Sequence, residues 1–383
     1  MQNLLCLALL LPGLGFVGQL SAEEPFRTDE NGDEKLAWYQ VEPHKFPPAG
    51  SAHYFTGELI EMDHVHRAGM LRVSRTDKQR RHNWDTPISF RMLPYGSLKY
   101  HGAPAALRDI PIGTHLHGWF YVKDKDEEIP KVYFNRQSIE NDFSQAYRLV
   151  DDFSYYDEQK RLFQVESVDL MTMTMKLTLR GVETESGKLD DATIEIDLTP
   201  ATRVFQGKQF GTLKDIKAGQ RVLFNLTWAT LYGVGRCTDL WLDDESRALA
   251  RQQQLEQHRL HLKYRGVPGW IDEVDNQKRI VTVTLFGGVD PHLLEEFRPN
   301  TSVTGVVAEP TLQSYDQVND RKSGPLLNIK EVQQAPGSSG RQVSFQPQLL
   351  LEGYRPGRII RLFPSGWPVI TIPQDETLWP ERG

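Results

Sequence analysis

The sequence predicts a mainly β protein: three small β-barrel or sandwich units in series, joined by short helices. Three observations carry that prediction. An apolar residue, an aspartate, a turn and then alternating apolar residues occur in order at Asp63, Asp169 and Asp275, 106 residues apart each time. A leucine, two residues, an apolar residue, two residues and a glycine follow in each unit, closing at Gly113, Gly219 and Gly357 ahead of a strand-like stretch. Between the units the period-2 alternation of half-buried strands gives way to helix formers.

The elements follow in chain order. Residues 1–22 read as a signal peptide. Leu4 to Val17 is almost entirely apolar, and Leu20-Ser21-Ala22 ends on a small residue, which places cleavage after Ala22. Met1-Gln2-Asn3 lacks the usual basic residue. Pro12 interrupts a run already short for a span of about 20 residues, so no transmembrane segment is expected after removal of the signal. Cys6 precedes the position a lipid-modified cysteine would need. Residues 23–50 are polar, proline-containing and expected to be extended. Unit 1 covers 51–135, with an aspartate able to bond backbone N–H groups at the hairpin start. A helical connector is assigned to 136–160, its helix over about 138–150. Unit 2 covers 161–242. A second helical connector, 243–265, is opened by Asp243-Asp244-Glu245-Ser246 and stopped by Gly266 and Pro268; with few apolar residues, it is expected on a surface. Unit 3 covers 266–372. Its aspartate-to-glycine distance is about 32 residues longer than in the first two units, which predicts an insertion at about 310–345. Residues 373–383 form a tail.

Composition narrows the functional classes. Net charge is −7 without long like-charge runs, so no nucleic acid partner is expected, even with the local basic stretch Lys78-Gln79-Arg80-Arg81-His82. Once the signal is removed, Cys237 is the one cysteine, and the alternation around it predicts a buried thiol. The aspartate hairpin followed by Leu107-Arg108-Asp109-Ile110 through Gly113, and by Leu213-Lys214-Asp215-Ile216 through Gly219, resembles the small exported OB-like barrels of bacteria. The whole chain resembles uncharacterised exported planctomycete-type proteins with such units. The resemblance implies a fold and names no activity.

No catalytic motif is found, and no catalytic or cofactor-binding residue is assigned. Gly13 to Gly18 matches a dinucleotide pattern but lies inside the signal peptide. The candidates for a metal are His115 and His117, alternate residues on a strand that share a face. The pattern alignment sets Leu116 with Val222 and Ile360, so that position points inward. It sets His115 and His117 with positions that carry Arg221 and Arg361, which predicts a surface or inter-domain place and little loss of stability on their joint replacement by Ala. His64 and His66 form a second pair in the Asp63 turn. His258 and His261 sit three apart on the second connector. Met171-Thr172-Met173-Thr174-Met175 resembles a run in periplasmic copper-binding OB-like barrels, but here it falls in the first hairpin, where packing is the simpler role. The carboxylate pairs, among them Asp151-Asp152, Asp190-Asp191, Asp243-Asp244 and Asp124 with Asp126, are expected at turns and caps. Tryptophans are expected in cores and domain junctions, with Trp367 and Trp379 exposed. The leading expectation is therefore an exported, non-catalytic binding or structural protein of the envelope or extracellular space, with a partner there and no cofactor. The alternatives are a metal-handling protein using His115 and His117, and a hydrolase of envelope glycans.

Overall fold

The computed structural model describes residues 25–64, 66–74, 87–123, 142–183, 189–227, 235–307 and 321–368. The expected signal peptide, the Lys78–His82 stretch, Asp124, Asp126, Trp379 and the tail lie outside them, as does part of the expected insertion.

Three closed β-barrels follow one another. The first uses β1 (His53–Asp63), β2 (Ala68–Val73), β3 (Pro87–Tyr100), β5 (His115–Val122) and β6 (Phe143–Asp151), with β4 (Ala103–Ala105) folded back on β3. β1 pairs with β2 and β5, and the ring closes through β2–β3 and a parallel β3–β6 pair. The second uses β7 (Phe163–Asp169), β8 (Thr174–Glu183), β9 (Leu189–Asp197), β12 (Arg221–Thr227) and β13 (Arg236–Trp241), and again closes through a parallel contact, β9–β13. The hairpin of β10 (Arg203–Gln206) and β11 (Gln209–Gly211) hangs on β13. This order, with the first strand between the second and fourth and the third parallel to the fifth, is OB-like. The third barrel runs β14 (Val267–Asp275), β15 (Ile280–Phe286), β18 (Ser338–Phe345), β17 (Arg321–Glu331), β16 (Ser302–Val307), β19 (Ile359–Pro364) and back to β14. It closes differently: β16 lies antiparallel to β19, where β6 and β13 lie against their fourth strands, and β17 fills the gap to β18. The extra strand pair is thus β16 and β17, whereas β18 lines up on β15 as β9 does on β8.

The same local chemistry recurs in all three. Asp63 accepts from His66 N–H, Asp169 from Met171 and Thr172 N–H, and Asp275 from Gln277 and Lys278 N–H. Each first strand shifts register just after Leu59, Val165 or Ile271. At that bulge the strand's carbonyl accepts from Gly113, Gly219 or Gly357 N–H at 2.7–2.8 Å. The bulge re-aims the strand from one neighbour to the other. All three glycines have positive φ, 95°, 86° and 83°, which L side chains adopt at a cost. Leu116, Val222 and Ile360 are fully buried, each in a separate core.

Three expectations fail. The stretch given as helix, about 138–150, is strand β6 from Phe143 onward, and the connecting helix is the short α1 (Asp152–Glu158). β6 is covered on both faces: Ser144, Gln145, Ala146, Leu149 and Val150 are all buried. Such a strand shows no period-2 alternation. Trp367 is buried, packed in the third core. The second connector is α2 (Asp244–Arg265), with Asp243 capping Ser246 N–H at 2.7 Å and Gly266 at φ +76° ending it. It is not a simple surface helix. Arg247, Gln254, His258 and His261 are buried, and Gln254 donates to Pro104 O and Asp109 of barrel 1. α3 (Pro291–Leu294) is one turn under barrel 3. Cys237 is buried, as expected.

The barrels are clamped. Leu93, Tyr95 and Tyr121 of barrel 1 pack on Trp270 and Phe286 of barrel 3, with Phe46 of the N-terminal segment wedged between. Phe153 of α1 packs on Leu223 and Trp241 of barrel 2 and Ala250 of α2. No described helix is long and apolar enough to cross a membrane.

Candidate functional site

On β5, Leu116 enters the first core, so His115 and His117 face the other way, toward α1 and barrel 2. β5 and β6 pair with Leu116 opposite Asp151. The chain then turns at Asp151, whose Oδ1 accepts from Ser154 N–H and caps α1. Asp152, the first helical residue, is thereby set between the two imidazoles. Its Oδ1 accepts from His115 Nδ1 at 2.8 Å and from His117 Nε2 at 3.0 Å. Its Oδ2 accepts from Leu226 N–H of β12 at 2.9 Å.

A second layer fixes the first. Tyr54 Oη lies 2.7 Å from His117 Nδ1, and Ser74 Oγ lies 3.2 Å from His115 Nε2. Tyr155 stacks on His117 at 3.7 Å and 4°. Asp151 Oδ2 accepts from Asn225 Nδ2 and His101 N–H, while Asn225 Oδ1 accepts from Phe153 N–H. Glu58, ion-paired with Arg72, accepts from Thr227 Oγ1 at 2.9 Å. Two adjacent aspartates of the connector therefore staple β12 of barrel 2 to barrel 1.

Burial sets the charges. It pushes the Asp152 carboxyl up, but the two imidazoles, His115 foremost, more than offset it and hold Asp152 well below the usual range. Burial pulls His115 down, and Asp152, with help from Glu58, lifts it above its ordinary value. For His117 burial dominates and the imidazole is pulled down despite Asp152. The arrangement is thus a His115–Asp152 ion pair beside a neutral His117 that donates to Asp152 and accepts from Tyr54. Asp151 is pushed up to about 6 by burial.

His115 and His117 are not surface residues: their side chains are 12% and 6% exposed. The expected inter-domain place is what closes over them. The expectation of small loss on their replacement was based on Arg221 and Arg361. His115 and His117 instead each bond the buried Asp152, which argues for a larger loss. Asp152 was read only as part of a turn pair, and nothing local in the sequence marks it as the partner of residues 35 positions away. His115, His117 and Asp152 bring three ligand atoms within 4.8 Å of one another. His64 does not join them; it lines a separate cleft with His258 and His261. His66 bonds Asp63. Met171 is exposed at its hairpin tip, and Met175 is buried in the second core. Asp243 is a helix cap and Asp244 pairs with Arg247.

No family model matches the chain, and no curated protein matches it. Two solved structures are similar to part of it. One is silver-bound CusF, 17% identical, covering 22% of this chain and 93% of that one, with a TM-score of 0.16. The other is a tryptophan-to-alanine form of CusF from Escherichia coli with Cu(II), 17% identical, covering 22% and 89%, with the same TM-score of 0.16. Likeness at this level carries no argument about ligand or site.

Proposed function

We propose that this chain is an exported, non-catalytic binding or structural protein of the envelope or extracellular space, built from three copies of one barrel unit held as a single rigid body. The observation behind this reading is the junction: Asp151, Asp152 and Asn225 form a fully buried hydrogen-bonded staple between barrels 1 and 2. A protein that works by presenting a fixed surface needs such joints, since barrels on free linkers move independently by default. Export rests on the apolar run at 4–17 and the small residue at Ala22. Cell fractionation with mass spectrometry of the amino terminus tests it. The expected form starts at Glu23 in the exported fraction. Intact protein starting at Met1 inside the cell overturns the reading.

A second reading has one specific observation in its favour. Each imidazole turns one nitrogen to Asp152 and has the other held by a hydroxyl, Tyr54 or Ser74. Oriented imidazoles of this kind suit a bound transition metal. Two histidines and one carboxylate would supply three ligands, with the fourth position left to water. Metal analysis of purified protein decides: stoichiometric zinc or copper that disappears in His115→Ala/His117→Ala supports metal handling, and metal-free folded protein sinks it.

A further inference from the structure

A half-open cleft of about 410 Å³ lies between the end of α1 and the first turns of α2. Lys160, Arg161, Arg247 and Arg251 bring four cations to its wall, and Asp157 and Asp244 bring two carboxylates. Both carboxylates are already engaged. Asp244 pairs with Arg247, and Asp157 Oδ2 accepts from Arg251 at 2.6 Å. Arg247 is pinned further by donating to Arg221 O at 2.9 Å. Lys160 and Arg161 are left over: among the described residues neither side chain has a carboxylate partner. The rest of the wall is apolar, the half-buried Leu162 and the exposed Ala248 of α2.

The leftover pair stands on a fixed turn. α1 closes with Lys160 N–H on Asp157 O and Arg161 N–H on Tyr156 O, both at 2.9 Å. The turn sets Lys160 at φ +54°. Glycine adopts that conformation freely, whereas an L side chain adopts it at a cost. The turn alone therefore accounts for a glycine there and not for a lysine. Offsetting the negative end of α1 accounts for one nearby cation, whereas two follow it.

We propose that this cleft binds a small organic anion, its charged head on Lys160 and Arg161 and its apolar body against Leu162 and Ala248. Lysine offers a point charge and arginine a planar fork, a pair that suits a carboxylate or phosphoryl head. The cleft falls within the roughly 300–1,000 Å³ of small-molecule sites, so a bare inorganic ion would leave most of it and the apolar wall unused. The inference names a ligand class for the binding protein proposed above and rests on that reading only for its setting.

Calorimetric titration of the full chain at constant ionic strength tests it, with phenyl phosphate, benzoate, inorganic phosphate and benzyl alcohol as probes. At least one of the two aromatic anions is expected to bind saturably at one site, and the tighter of them names the head. Inorganic phosphate and benzyl alcohol should each bind at least about tenfold more weakly. The double variant Lys160→Gly/Arg161→Gln, whose glycine keeps the turn, should weaken the aromatic anion at least about tenfold. Ala248→Glu leaves both cations in place and sets a competing carboxylate in the cleft, at an exposed helical position that glutamate suits. It should weaken binding by at least about the same factor, and it carries the test if the double variant fails to fold. Arg355→Ala, an exposed arginine of barrel 3, should bind as wild type. The proposal is overturned if neither aromatic anion binds saturably, if inorganic phosphate or benzyl alcohol binds as tightly, or if Ala248→Glu binds unchanged. The amino-terminal test of export is independent of either outcome.

Discussion

Asp152 is the residue on which the first junction turns. Its two oxygens serve three donors, His115, His117 and the Leu226 N–H, in a buried place. Asp152→Ala removes all three acceptor contacts and leaves a buried imidazolium unpaired, so it should lose about 3–5 kcal/mol. Urea unfolding checks this; a loss under about 1 kcal/mol would mean the network is slack. The pair His115-x-His117 was legible in the sequence because alternation on a strand is a local signal. Asp152 was not, because its approach depends on β5 pairing with β6, and β6, buried on both faces, lacked the alternation that would have revealed a strand. Acid sensitivity belongs to this scale too. His101, His258 and His261 are pulled down by burial to about 3, 4 and 3. His258 even accepts from Asp290 N–H at 3.3 Å, a bond that protonation abolishes. Unfolded, these histidines titrate near 6.5, so between about pH 6.5 and 4 unfolding takes up protons and stability falls with falling pH. Asp151, pushed up to about 6, and His115, lifted by Asp152, work in the opposite sense. The net slope should be acid-destabilising, roughly 1.4 kcal/mol per pH unit for each net proton taken up. His258→Gln should flatten it, and an unchanged slope would contradict the assignment of a neutral buried His258.

Among the elements, α2 is the one whose ends were readable and whose role was not. Asp243 and Gly266 are local signals of capping and termination, and both act as such. Apart from Ala250, its buried face is polar, made of Ser246, Arg247, Gln254, His258 and His261, which no hydrophobic periodicity reports. Polar partners on barrels 1 and 3 take the place of an apolar stripe, among them Asp109, Pro104 O and Asp290. Gly266 tests how tightly the helix is docked. It sits at φ +76°, and a Cβ there would come within 2.7 Å of the Phe363 ring. Phe363 is itself buried. Gly266→Ala should therefore lose about 1–3 kcal/mol through backbone strain and the displaced ring. A thermal melt within a degree of wild type would show that the ring yields freely.

For the whole molecule, the barrels were legible from the aspartate and glycine patterns because each marks a turn fixed by backbone hydrogen bonds. The closure of barrel 3 was not, since β16 occupies the last-strand position from an earlier place in the chain, and sequence order gives no hint of that exchange. Nor were the joints, which depend on contacts between units. The account holds that these joints, a polar staple on one side and the Trp270 aromatic cluster on the other, make three barrels one body. Hydrogen exchange of the full chain in rising sub-denaturing urea tests this most directly, because it reads the opening free energy of each barrel separately. The account predicts that the core amides of β5, β12 and β19 converge on one opening free energy, and that Asp152→Ala separates β12 from the other two. Separate opening free energies for the three barrels in the unmutated chain, unaffected by Asp152→Ala, would contradict it.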